Sequence, residues 1–128
     1  MKKLIDIDLK IEKEEELDVK EFLKRNNFFT RNDFPDINRL DGDELIDSIT
    51  ENFEVLITNN FLFEKIRSSK RRRLIIIILK SFSDLAEPKL TKSHLCFLLN
   101  EIQKCKHGNI FVWELKPICR LRRLKNKD

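Results

Sequence analysis

The chain has 128 residues, a net charge of +4 and a composition that is 41% hydrophobic and 38% charged, with ten Phe, two Gly and three Pro. That length is one ordinary domain, 1–128, able to bury a core of its own. So many aromatics with so little Gly and Pro exclude a disordered chain and leave little material for the tight turns of a many-stranded β protein.

The charge is unevenly placed. Residues 1–64 carry 9 Lys and Arg against 17 Asp and Glu, net −8, whereas residues 65–128 carry 17 against 5, net +12. The C-terminal half is therefore expected to face something negative: nucleic acid, an acidic partner or the protein's own N-terminal half. Asp6 and Asp8 interrupt any secretory-signal core after Met1-Lys2-Lys3. The apolar run Leu74–Leu79 falls far short of the ~20 residues of a bilayer span, so no membrane is expected. Three cysteines without framework spacing read as reduced thiols of an intracellular protein, cytoplasmic or nuclear.

Residues 4–11 alternate, with Ile5, Ile7, Leu9 and Ile11 on one side and Asp6, Asp8, Lys10 and Glu12 on the other, the period of a half-buried strand. Such a strand needs a partner for its backbone groups, and the candidates are 110–115 or a second copy of the chain. Glu14–Asn27 is expected to form a short helix that stops at Asn26-Asn27, and Phe28–Leu40 a loop anchored by Phe28, Phe29 and Phe34. Asp41 and Glu44 open a helix expected over 42–59, with Leu45, Ile46, Ile49, Phe53, Leu56 and Ile57 at helical spacing.

The stretch 70–86 joins the densest basic run to the longest apolar run. Apolar residues at 74, 75, 78, 82 and 85 predict a buried central helix; four consecutive isoleucines make a strand over Leu74–Leu79 the competing reading. Thr91 or Ser93 caps the next predicted helix, with Leu95, Leu98, Leu99, Ile102 and Cys105 on its stripe and Gly108 as its C-cap. Residues 110–115 fit a strand or a helix. Pro117 suits the first turn of a last segment in which Ile118, Leu121 and Leu124 face inward and Arg120, Arg122, Arg123 and Lys125 outward.

The fold expected from these elements is mainly α, with α+β as the alternative: a bundle of about five to six helices around the 70–86 helix, with a strand at 4–11. The candidate contact residues for nucleic acid or an acidic partner are Lys70, Arg71, Arg72, Arg73, Lys104, Lys106, Lys116, Arg120, Arg122, Arg123 and Lys125, because phosphate binding needs clustered cations rather than a motif. Ile5, Ile7, Leu9 and Ile11 are candidates for strand pairing with a partner or in a homodimer.

His94, Cys96, Cys105, His107 and Cys119 hold the strong zinc-ligand types, but helical spacing separates Cys105 from both His94 and Cys96; only Cys105, His107 and Cys119 are left to converge, the cysteines read better as small buried apolar residues, and no metal is expected. No cofactor is expected either, and the lack of a Gly-rich phosphate loop or an identifiable nucleophile pairing argues against an enzyme. The function expected is that of a non-catalytic interaction protein acting on a protein partner through helix surfaces and strand pairing. The alternative is a nucleic-acid-binding protein using the basic half.

Overall fold

The computed structural model describes residues 1–60, 63, 65, 73–81, 89–116 and 120–127. Within them the chain runs β1 (Lys3–Asp6), α1 (Glu16–Arg25), β2 (Phe28–Thr30), α2 (Gly42–Asn52), β3 (Val55–Thr58), β4 (Ile75–Ser81), α3 (Lys92–Ile102), β5 (Ile110–Lys116) and β6 (Arg120–Lys127). Short 3-10 turns precede α1 and follow β2. The strands form one sheet in the order β2-β1-β3-β4-β5-β6. Every pairing is parallel except β5–β6, which is antiparallel. This α/β architecture replaces the expected helical bundle.

The largest correction concerns the predicted central helix. Ile75–Ser81 is a strand in the middle of the sheet, and the described residues hold no helix there. Ile75, Ile77 and Leu79 enter one core and Leu74, Ile76 and Ile78 the other. A parallel strand covered on both faces has no polar side, so its sequence is a continuous apolar run that periodicity cannot distinguish from a buried helix. Phe82 and Leu85, which carried the helical spacing onward, lie outside the described residues.

The helix expected over 42–59 ends at Asn52; Phe53 is already extended, at φ −131° and ψ 157°, and Val55–Thr58 pair as β3. Val55, Ile57 and Thr58 are β-branched and suited to a strand, while Phe53, Leu56 and Ile57 fall at helical spacing by coincidence. Asp41 holds the N-cap position of α2 without a side-chain capping bond. Next to it Gly42 takes φ +57°, a left-handed conformation open to glycine at little cost.

The last segment is also a strand. Its register places Arg123 opposite Trp113 and Lys125 opposite Val112, leaving Leu124 as the extra residue of a bulge. That insertion breaks the period of two and sets Leu121 and Leu124 three apart, which imitates a helix. Pro117, Ile118 and Cys119 lie outside the described residues.

The N-terminal strand exists, but its partners are neither 110–115 nor another chain. Lys3–Ile5 pair with β2 and Lys3–Asp6 with β3, so both edges are occupied from within. Ile5 and Ile7 are buried in one core and Leu4 in the other. Leu9 bridges to Leu90, and Ile11 is exposed. The predicted alternation was therefore a strand buried on both faces for its first residues, followed by extended chain.

The α1 and α3 helices form where their sequences predict but are shorter, Glu16–Arg25 and Lys92–Ile102, so Cys105 falls beyond its helix; the loop expected over Phe28–Leu40 begins instead with β2. Asn27 ends α1 region at φ 57°, which Asn tolerates better than most residues. For α3, Thr91 is the cap: its hydroxyl accepts from the His94 N–H, and its own N–H donates to His94 Nδ1 at 3.0 Å. The helix stops at Ile102, so Gly108 is a turn residue, φ 91°, donating to the Leu74 carbonyl. Leu95, Leu98 and Ile102 of α3 and Phe22 and Leu23 of α1 pack on the sheet face carrying Ile5, Ile57 and Ile77. Ile49, Leu45 and Ile46 of α2 cover the opposite face with Ile37 and Phe53. The result is three layers, helices on both sides of a mostly parallel sheet. No helix among the described residues is long and apolar enough to cross a membrane.

Candidate functional site

In a doubly wound sheet, ligands collect outside the carboxyl ends of the strands, near the point where successive connections leave in opposite directions. Here that point lies between β1, whose chain continues to β2 on one side, and β3, whose neighbour on the other side is β4. A cleft of about 970 Å³ opens at this end, lined by residues after β1, by α1, by β2 with its following turn, and by Asn59.

Asp6, the last residue of β1, is the centre of its polar wall. Its Oδ2 accepts from the Thr58 hydroxyl at 3.0 Å, and the Thr58 oxygen accepts from the Asn60 N–H at 3.1 Å. Thr58 is fully buried, so this bond satisfies a hydroxyl that would otherwise be costly. On the other side, Arg31 Nε stands 2.5 Å from Asp6 Oδ1. The approach lies off the N–H direction, leaving Nε without a directed hydrogen bond, and the contact is best described as an ion pair. The Arg31 side chain remains 33% exposed, and its Nη1 reaches Asn38 Oδ1 at 3.5 Å. The 3-10 turn that carries Arg31 is fixed by Asp33, whose carboxylate accepts from the Thr30 N–H at 2.8 Å.

Burial raises the Asp6 carboxyl above its ordinary value of 3.8, while the Arg31 charge and the Thr58 and Arg31 hydrogen-bonding groups offset part of that rise. An acid with a raised value in the folded chain holds its proton more tightly there. Its contribution to stability is therefore fullest below the unfolded value and is lost as pH rises through the folded one. The unfolding free energy of the parent minus that of Asp6→Asn should accordingly fall as pH rises through and above the ordinary value of 3.8 in urea titrations. A difference that grows as pH rises there would contradict the assignment.

The basic candidates lie elsewhere. Arg73 is exposed immediately before β4, and Lys104 and Lys106 are exposed in the turn between α3 and β5. Lys104 also sits 3.4 Å from Glu101. Lys116 ends β5 opposite Arg120, and Arg122, Arg123 and Lys125 follow along β6, opposite Glu114, Trp113 and Val112. Lys127, not among the predicted residues, extends the row opposite Ile110. Lys70, Arg71 and Arg72 lie outside the described residues. The structure thus brings the turn before β5 and the strand β6 to one edge of the sheet.

The same order sets the strands of the acidic half and those of the basic half on different sides of the sheet. Residues 1–64 supply β2, β1 and β3, at net −8 from 9 basic and 17 acidic residues. Residues 65–128 supply β4, β5 and β6, at net +12 from 17 and 5. Because the sheet reads β2-β1-β3-β4-β5-β6, one edge belongs to the acidic half and the other to the basic half.

The residues weighed for zinc are dispersed in role. His94 is buried in the α3 cap, Cys96 is exposed, and Cys105 Sγ donates to the Glu101 carbonyl at 3.2 Å. His107 Nε2 is 4.0 Å from Glu54, and Cys119 lies outside the described residues. Sequence reasoning passed over Asp6, Arg31 and Thr58. Asp6 read as the polar side of a strand and Thr58 as part of a helix; the only available signal was the β-branched Val-Leu-Ile-Thr run, which would have ended a strand at Thr58. Comparison with protein-family models, curated proteins and solved structures finds no match for this chain.

Proposed function

We propose that this chain is a nucleic-acid-binding protein that docks on the phosphate backbone through the β6 edge and the turn before β5. One observation carries the reading: β6, which contains Arg120, Arg122, Arg123, Lys125 and Lys127, is the outermost strand of the sheet and pairs among the described residues with β5 alone. Backbone recognition asks for a track of cations rather than a motif. An acidic opposite side adds orientation, since it repels a polyanion and turns the basic edge toward it.

Edge strands also carry lysine to prevent edge-to-edge pairing, and that purpose alone accounts for one or two charges. It does not account for the exposed Lys104, Lys106 and Arg73 clustered at the neighbouring strand starts. Helix surfaces support a protein partner less well: among the described residues the exposed large apolar side chains Met1, Ile11, Leu17 and Phe97 do not share one helix, and β1 is paired on both edges. The role is binding, with no chemical step assigned to it. An intracellular setting agrees with it.

The test is a titration of unspecific RNA and DNA duplexes at about 0.05 M and about 0.2 M salt. If roughly five phosphates are contacted, affinity should fall by about two to three orders of magnitude over that interval. Undetectable binding at the lower salt would remove nucleic acid and leave an acidic protein surface as the occupant of the edge.

A further inference from the structure

We propose that the cleft beside Asp6 is a second, separate binding site, for a phosphorylated ligand of nucleoside size. It lies at the carboxyl ends of β1 and β2, toward the opposite edge of the sheet from β6, so its ligand does not depend on the basic edge.

The chemistry follows from which groups the fold has already committed. Asp6 is engaged by Thr58 and Arg31, Asp33 by Thr30, and Lys20 by Glu16 at 3.1 Å. Three charged groups of the lining are at least partly exposed to a ligand, Arg31 among them although it is paired with Asp6 and within 3.5 Å of Asn38 Oδ1. The Arg31 guanidinium is held from behind by Asp6 and is one-third exposed at 33%. Lys24 and Asp8 are exposed and take part in none of the ion pairs found among the described residues.

Two cations, Lys24 and the partly exposed Arg31, suit a dianionic phosphate, toward which the guanidinium N–H groups not turned to Asp6 can donate. The open carboxylate of Asp8 suits a donor on the same molecule, such as a sugar hydroxyl. Leu23, Phe28 and Ile7 supply an apolar wall for a base or similar ring. An amino acid would satisfy the same three charges, but a cleft of about 970 Å³ belongs to the range that encloses ligands several times larger. Asp6 is a positioning residue in this arrangement: it orients Arg31 and does not itself meet the phosphate.

The experiment is calorimetric titration of the full chain with AMP, adenosine, inorganic phosphate and phenylalanine at about 0.15 M salt. AMP should bind saturably and on the order of tenfold or more tighter than each of the other three. Arg31→Gln should weaken AMP by about tenfold or more, and Lys24→Gln, at an exposed helix position that does not threaten folding, by about threefold. The edge variant Arg120→Glu/Arg123→Glu should leave AMP binding unchanged, which separates this site from the β6 edge. Absence of saturable AMP binding, equal binding of adenosine or phosphate, tighter binding of phenylalanine, or indifference to Lys24→Gln would each overturn the proposal. Loss of AMP binding in the edge variant would overturn it too, by moving the ligand to the other site.

Discussion

Ile77→Asp should leave a chain without a cooperative unfolding transition. Ile77 is 1% exposed at the centre of β4, between Ile57 of β3 and Phe111 of β5. A carboxylate there loses the 1.5–3 kcal/mol or so that burying the isoleucine contributes. It also places an unpaired charge in the interior, at a cost of several more. Together these approach the whole stability of a domain, about 5–15 kcal/mol.

Milder substitutions distinguish this strand from the helix that periodicity suggests. Ile76 and Ile77 enter different cores, and both are essentially unexposed. Ile76→Ala and Ile77→Ala should therefore each cost about 2–5 kcal/mol, measured by urea denaturation with circular dichroism. One position tolerating alanine at under about 1 kcal/mol would mean that one sheet face is open. A folded Ile77→Asp variant would mean that this strand is not central.

The second large effect concerns the basic edge. The triple variant Arg120→Glu/Arg123→Glu/Lys125→Glu should weaken duplex binding by on the order of a hundredfold or more at about 0.1 M salt, and lower the slope of log affinity against log salt by about three. These positions avoid a complication of register. Arg122 is opposite Glu114, where a glutamate would set like charges directly across the ladder. Arg120 is opposite Lys116, so its reversal creates no such repulsion. Stability should change by no more than about 1 kcal/mol. Unchanged duplex affinity in a folded variant would exonerate the edge.

What the sequence revealed depended on whether an element shows one face to water. The α1 and α3 helices do, and their stripes with Asn26-Asn27 and Thr91 as punctuation were legible. The β4 strand shows none, and its isoleucines fitted a buried helix as well as a buried strand. Leu56 and Ile57 follow a real helix closely enough to prolong its pattern across the break at Phe53. In β6 one bulged residue was enough to disguise the period.

The two candidate sites differ in the same way. The basic excess of the second half is a property of composition and was visible at once, but that it occupies one edge needed the strand order. The Asp6–Thr58 bond spans 52 residues and exists because β1 pairs with β3. Nothing local to either residue announces the other.

The central claim, that the charge-polarised sheet meets a polyanion along β6, is tested most directly by mapping amide signals of the full chain by NMR as a short DNA duplex is added. Shifts or protection should be confined to 104–110, 120–127 and Arg73, with Lys3–Asp6 and Phe28–Thr30 unmoved. Perturbations centred on α1 or β2, with β6 unaffected, would contradict it.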